Sequence, residues 1–295
     1  MTAIAPAAAG SGAEQGGSSG LFRRAFSFTR TRVGLAIVAL IAAIALFGPF
    51  FAPHPPTAFV APPYAGPSSV AIFGADNLGR DVLTRFLCGG RSVLALSLAS
   101  TVLGLAGGIL VGLVAAYARG WLDEVLMRLT DVALAFPQIV LVLLLVSTLG
   151  PQLWLIVLTV GLAHAPRVAR VTRAAALEVV ERDFVKSATA LGESTWHILG
   201  AELLPNISSP LLVEFGLRLT YSIGIIAAVG FMGFGLQPPA ADWGLMINEN
   251  RIGLTIQPWP VLLPVIAIGL LTVGMNLFTD GIARASIGID RGMER

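Results

Sequence analysis

The 295-residue sequence contains one cysteine, Cys88, one lysine, Lys186, and three histidines, and only 12% of it is charged. A lone cysteine excludes an internal disulfide and any metal motif built on cysteine pairs. The lone lysine follows Val185, so no Gly-Lys-Ser/Thr loop exists to cradle nucleotide phosphates. His54, His164 and His197 lack a matched Ser or Cys nucleophile or a carboxylate cluster, so no catalytic residue is assigned. A single histidine in a proline-rich loop, His54, falls short of a coordination set, and no metal residue is assigned either. The net charge of +2 is too small to indicate a nucleic-acid partner.

Apolar residues are abundant, at 55% of the chain. They gather in six runs, Val33 to Ala52, Val93 to Ala118, Val132 to Leu149, Leu153 to Val168, Leu211 to Leu236 and Val261 to Ile282. About 20 helical residues cross the ~30 Å of hydrocarbon in a bilayer. A β-barrel would instead show alternating segments of about ten residues. The chain therefore reads as an all-α integral membrane protein with six transmembrane helices. The first run lies beyond four arginines and ends in Gly-Pro-Phe-Phe-Ala-Pro-His-Pro-Pro, so it reads as a retained anchor rather than a cleaved signal.

With a cytoplasmic amino terminus, the inner stretches hold fourteen Lys/Arg and the outer stretches four, namely Arg80, Arg85, Arg91 and Arg251. That asymmetry places both termini and the 169–209 loop in the cytoplasm. Residues 1–32 then form a cytoplasmic tail, of which 1–20, rich in Ala, Gly and Ser, reads as disordered. Residues 33–91 hold the first helix and an external segment, 92–283 a five-helix core with the 169–209 loop, and 284–295 a cytoplasmic tail. Within the external segment, apolar positions 78, 82, 83, 86 and 87 recur at helical spacing and predict an amphipathic surface helix.

Ser100, Gly104, Gly108, Gly112 and Ala116 recur every four residues in the second run. Such a small-residue stripe predicts a tight helix contact, within this chain or with another subunit. Glu214 and Arg218, four apart with the acid first, read as a structural helical pair. No other charge lies deep in a run, which weighs against a proton-coupled carrier, and His164 near a run's end reads as packed or interfacial. Neither inverted repeats nor a discontinuous helix pair, as in secondary carriers, is evident.

The stretch from Asp183 to Asn206 is a polar, helix-compatible insert between apolar runs. It reads as one helix of at most four turns, capped by Asp183 and ended before Pro205. Ala188 and Gly192 would make one face small enough for close approach by another protein, with Trp196 and Leu199 as apolar anchors. The segment resembles the signature loop of binding-protein-dependent ABC importer permeases, Glu-Ala-Ala, three residues, Gly, nine residues, Ile, one residue, Leu-Pro. Here it reads Lys186-Ser187-Ala188, Gly192, Glu202, Leu204-Pro205, with Lys186, Ser187 and Glu202 departing from the pattern. A lysine at 186 cannot complete a capping box with Asp183 and costs about 0.3–1 kcal/mol near a helix start.

Further stretches narrow the resemblance to the C-type permease subunit of dipeptide, oligopeptide and nickel importers, over about residues 22–290. They are Phe73 to Leu83, Arg128 to Asp131 with Phe136-Pro137, Arg167 to Arg170, Glu181 to Lys186, Phe231 to Pro239 with Trp243-Gly244, and Asn276 to Gly281. The resemblance implies a type I ABC importer permease fold in a bacterial plasma (inner) membrane and a heterodimer with a homologous permease. It also implies two cytoplasmic ABC ATPase subunits carrying ATP and Mg, and an external substrate-binding protein delivering di- or oligopeptides, nickel or another small solute. Asp183, Ala188, Gly192, Trp196, Leu199, Leu204 and Pro205 would form the coupling helix, and segments 73–91 and 237–258 would face the binding protein or lie as solvated loops.

Overall fold

The computed structural model describes residues 24–287. The disorder expected for residues 1–20, and the last residues of the chain, lie outside the described residues. Helix α1 (Thr29–Phe47) runs into a 3-10 turn at Gly48–Phe51. It is followed by α2 (Val82–Ala118), α3 (Gly120–Leu134), α4 (Gln138–Leu149), α5 (Leu153–Val180) and α6 (Asp183–Ala190). A junction of three helical pieces, Thr195–His197, Ile198–Leu203 and Leu204–Asn206, leads to α7 (Ser208–Phe231), α8 (Trp243–Asn250) and α9 (Trp259–Ile287).

Among the described residues, five helices are long and apolar enough to cross a membrane: α1 with its 3-10 turn, α2, α5, α7 and α9. The bent α3–α4 pair, taken as one span, supplies the sixth, but it is not the straight helix expected. Instead of one helix from Val132 to Leu149, the chain turns by 78° between α3 and α4. Pro137 has no N–H to continue the ladder and disfavours a helical residue before it, so the axis breaks at the Phe136-Pro137 step. The expected amphipathic surface helix over 78–87 is also corrected. Residues 77–79 form a turn, Arg80 and Asp81 bridge to Phe59 and Ala75, and Asp81 caps α2 by accepting from Thr84 N at 3.0 Å, so Val82 onward is the first part of a single 37-residue helix. At 1.5 Å per residue that helix is about 55 Å long and projects well beyond a hydrocarbon core.

The small-residue stripe of α2 lies against α5. A Cβ at Gly104 would stand 2.7 Å from the Gly161 carbonyl, one at Gly108 2.4 Å from Val168 Cβ, and one at Gly112 2.5 Å from the Ala169 carbonyl. Ser100 and Ala116 are buried as well. The backbones can approach this closely only because the α2 side chains are absent, which is how small residues drive helix association in lipid. On the far side of the bundle α1 packs along α9, where a Cβ at Gly34 would stand 2.6 Å from the Gly274 carbonyl.

One set of polar side chains between the helices is joined by hydrogen bonds. His164 on α5 is fully buried, with Nε2 2.9 Å from Ser222 Oγ on α7 and Nδ1 3.1 Å from Gln138 Nε2 on α4. Ser222 in turn accepts from Thr101 Oγ1 of α2 at 3.0 Å. This chain ties four helices together in surroundings where each unpaired polar group costs free energy. Arg218 and Glu214 meet at 2.8 Å, with Arg218 over the Tyr221 ring.

The outer arginines have a different fate from the one expected of a surface helix. Arg80 Nε lies 2.6 Å from Asp76 Oδ2, and Arg80 Nη2 and Arg85 Nη2 each lie 2.8 Å from Glu249 Oε2. Asp76, Arg80 and Arg85 are buried. Asn77 N donates to Asn250 Oδ1 at 2.9 Å, so the 53–81 segment is fastened to α8 and to the start of α2. Arg91, by contrast, is exposed and donates to the Leu46 carbonyl. Asp242 caps α8 through Leu245 N at 3.0 Å and accepts from Ser92 Oγ at 2.5 Å, while burial pushes its carboxyl up.

Two consequences are measurable by thermal unfolding in detergent. Gly108→Leu is expected to destabilise by about 1–3 kcal/mol or more through overpacking against α5. Gly107→Ala, whose Cβ meets nothing nearer than 3.8 Å, is expected to leave the transition unmoved. Glu249→Gln removes the carboxylate shared by two buried guanidiniums and is expected to cost about 3–5 kcal/mol.

Candidate functional site

The polar insert is built on the ends of the two closely packed helices. Leu113 and Ala116 of α2 and Ala176 of α5 join Val185 and Ala188 of α6, Ile198, Leu199 and Leu203 of the junction, and Ile207 and Leu211 in one apolar cluster. Val185 and Ala188 are three apart, so they share the face of α6 that turns inward. In the junction, Ile198, Leu199 and Leu203 do the same. Burying each large side chain of this set contributes about 1.5–3 kcal/mol, which holds the insert against the membrane helices.

The expected single helix from Asp183 to before Pro205 is corrected to α6 and the three-piece junction on either side of a turn. Gly192 has φ +82, a left-handed conformation that favours glycine. Gly192 N donates to the Thr189 carbonyl and Glu193 N to the Ala188 carbonyl, each at 3.1 Å. This paired pattern is a Schellman ending, and it stops α6. Ser194 then opens the junction, its Oγ accepting from His197 N at 3.3 Å.

The capping assignment is corrected too. Arg182, not Asp183, occupies the N-cap position and provides no side-chain cap, while Asp183 sits exposed in the first turn, where its charge suits the helix dipole. Lys186, expected to weaken the helix start, lies 3.3 Å from Glu181. Glu181 also accepts from Arg119 at the end of α2, so one carboxylate bridges α2, α5 and α6. The Arg119 hydrogen bond, and then Lys186, hold the Glu181 carboxyl below the usual carboxylate range. An open groove of about 560 Å³, lined by Tyr117, Arg119, Glu181, Val185, Lys186 and Thr189, lies beside this bridge.

The structure divides the predicted residues into two groups. Ala188 and Leu199 face the chain's own core rather than a partner, because the turn at Gly192 rotates their faces inward. Gly192, Trp196 and Pro205 are exposed, and Leu204 is half-buried at the edge of the cluster. Trp196 is 69% exposed and Leu191 81%, with Phe184 also exposed, so the insert presents an apolar outer face. A Cβ on Gly192 would meet nothing within 4 Å, which leaves the turn open to an incoming surface.

Leu191, Phe184 and the Arg119–Glu181 bridge were not singled out from the sequence. Spacing contained a signal for the inward face, Val185 with Ala188, but none for an ion pair sixty-two residues apart. The statement that no carboxylate cluster accompanies a histidine is also corrected. Glu193 and Glu202 stand with His197, their ligand atoms within 4.8 Å of one another.

Residues 108–287 match the family model described as the binding-protein-dependent transport system inner membrane component. Residues 23–67 match that of the N-terminal TM domain of oligopeptide transport permease C. The glutathione transport system permease protein GsiD of Pectobacterium atrosepticum is 37% identical over 75% of this chain and 73% of its own length. The di/tripeptide transport system permease protein DppC of Pseudomonas aeruginosa is 36% identical over 85% of this chain and 86% of its own. The dipeptide transport system permease protein DppC of Haemophilus influenzae is 32% identical over 88% and 92%. Among solved structures, an inward-facing form of the MetNI methionine ABC transporter superposes with a TM-score of 0.51 at 20% identity. It covers 67% of this chain and 96% of the matched one, a likeness of fold.

The Glu181 bridge carries a pH dependence with a defined sign. Because its folded carboxyl is held low, the bridge is fully present above the ordinary carboxylate value of 4.5 and is lost as pH falls through the depressed folded value. Amide exchange over residues 183–190, corrected for intrinsic rates, is expected to be flat from neutral pH to about pH 5 and to rise in stronger acid. Arg119→Gln is expected to shift that rise toward neutral pH.

Proposed function

The chain belongs to the family of binding-protein-dependent transport system inner membrane components, and from that membership we propose that it is one permease subunit of an ATP-driven peptide importer. In this reading it pairs with a homologous permease to form the pathway. Two cytoplasmic ATPase subunits bind ATP and Mg and hydrolyse the nucleotide, and an external binding protein delivers di- or oligopeptides. The names of the relatives, dipeptide and di/tripeptide permeases at 32–36% identity over most of the chain, support peptide as cargo. The fourteen-to-four distribution of Lys/Arg supports cytoplasmic termini and a cytoplasmic insert.

The observation that carries the coupling role is the build of the insert. An exposed apolar turn, with Leu191, Gly192 and Trp196 outward, is bolted to α2 and α5 through one apolar cluster and the Glu181 bridge. A docked ATPase that pushes on this turn moves α2 and α5 as a unit, because their glycine-mediated contact leaves no room to slide. ATP-driven closure then shifts the helices between inward-open and outward-open arrangements, as a ligand with different affinity for two states must. Phe184, Leu191, Trp196 and the Gly192 backbone are the contact residues. Asp183, Leu204 and Pro205 border that face, and Ala188 and Leu199 act from inside as the anchor of the turn. At the opposite end, the fastened 53–81 segment and α8 face the binding protein.

Gly192→Val tests this reading. A side chain in the left-handed conformation costs roughly 1–2 kcal/mol and fills the open turn. Peptide uptake is expected to fall at least tenfold and ATPase co-purification to drop, with the amount of chain in the membrane unchanged. Normal uptake in this variant would overturn the docking role.

A further inference from the structure

Glu193, His197 and Glu202 stand on the outer surface of the junction, and their carboxylate and imidazole ligand atoms lie within 4.8 Å of one another. Two local features bring them together. The Schellman turn at Gly192 delivers Glu193 four residues ahead of His197, with His197 Nε2 3.3 Å from Glu193 Oε2. His197 and Glu202 are five residues apart, a spacing that on an α-helix leaves side chains about 140° apart. Residues 198–203, directly after His197, instead form a π-helix, whose wider turn carries Glu202 closer to the His197 face than an α-helix would. Glu202 is also one of the three positions at which the chain departs from the signature pattern, and its carboxylate has no hydrogen-bond or ion-pair partner among the described residues.

We propose that Glu193, His197 and Glu202 form a three-ligand site for a late first-row divalent cation of the Zn²⁺ class. One imidazole nitrogen with two carboxylates suits such an ion, whereas Mg²⁺ and Ca²⁺ take all-oxygen shells. At metal–ligand distances of 2.0–2.1 Å, the ligand atoms of a tetrahedral zinc stand about 3.3 Å apart. The Glu193–His197 pair already has that spacing, and the Glu202 carboxylate, within 4.8 Å, reaches it by a shift of at most about 1.5 Å, within the range of one side-chain rotation. Three protein ligands leave a fourth position open to water. The bound ion neutralises both carboxylates and clamps the Gly192 turn to the π-helix, so it stiffens the exposed face beside Trp196. The site belongs to this chain alone and does not depend on which partner docks there.

The test uses the full chain, purified without a histidine tag, stripped with chelator and held in lipid nanodiscs. Titration with Zn²⁺ is expected to give one saturable site per chain by calorimetry. Affinity is expected to drop at least tenfold in His197→Ala and in Glu202→Gln, and to be unchanged in His54→Ala and in millimolar Mg²⁺. Zn²⁺ is expected to slow amide exchange over residues 190–203 in the unaltered chain and not in His197→Ala. Absence of saturable binding, equal binding in His197→Ala, loss of binding in His54→Ala, or displacement by Mg²⁺ would each overturn the proposal. Peptide uptake plays no part in these readouts, so failure here leaves the transport reading untouched, and failure of that reading leaves the site intact.

Discussion

The contact between α2 and α5 is the constraint on which the rest of the molecule depends. Gly104, Gly108 and Gly112 bring the two helices to backbone distance, where dispersion between main chains takes over from a hydrophobic force that lipid does not supply. Both helices extend past the apolar layer, α2 to Ala118 and α5 to Val180. Their protruding ends provide Leu113, Ala116 and Ala176, the floor on which the polar insert is seated. A rigid pair of long helices thus connects the middle of the bundle to the exposed turn, and a displacement at one is felt at the other.

The two ends of α2 are finished by different chemistry. At its start, four charges and two asparagines close the 53–81 segment onto α8 in a buried network that leaves little freedom. At its end, the insert relies on apolar packing inside and a single exposed carboxylate bridge outside. Exposed ion pairs contribute little to stability, so this end is held by shape and the bridge mainly sets orientation. The contrast suits a fixed outer cap and an inner face that exchanges contacts with a partner.

Within the bundle, His164, Ser222, Thr101 and Gln138 form a polar string among four helices. Each member satisfies another, and the break at Pro137 is what lets α4 bring Gln138 to His164. The bent α3–α4 pair is therefore part of the packing rather than an interruption of it. Arg167 extends the string by donating to Gln138 Oε1 at 3.2 Å.

The apolar runs, the small-residue period of α2 and the signature spacing around Gly192 were all legible in the order of residues, because each is a local or strictly periodic property. Where the sequence misled, the deciding contact was distant. Arg80 and Arg85 looked like the polar face of a surface helix until Glu249, over 160 residues on, was seen to neutralise them. The insert looked like one helix because apolar and small residues recur every four positions across it. Gly192 in fact carries a left-handed turn whose hydrogen bonds end α6, and burial of Val185, Ile198 and Leu203 settles which faces turn inward. Sequence alone determined that the chain is a helical membrane protein with a polar insert of permease type. Tertiary structure decided which charges are buried, which residues of the insert are anchor and which are surface, since both depend on partners that chain order does not bring together.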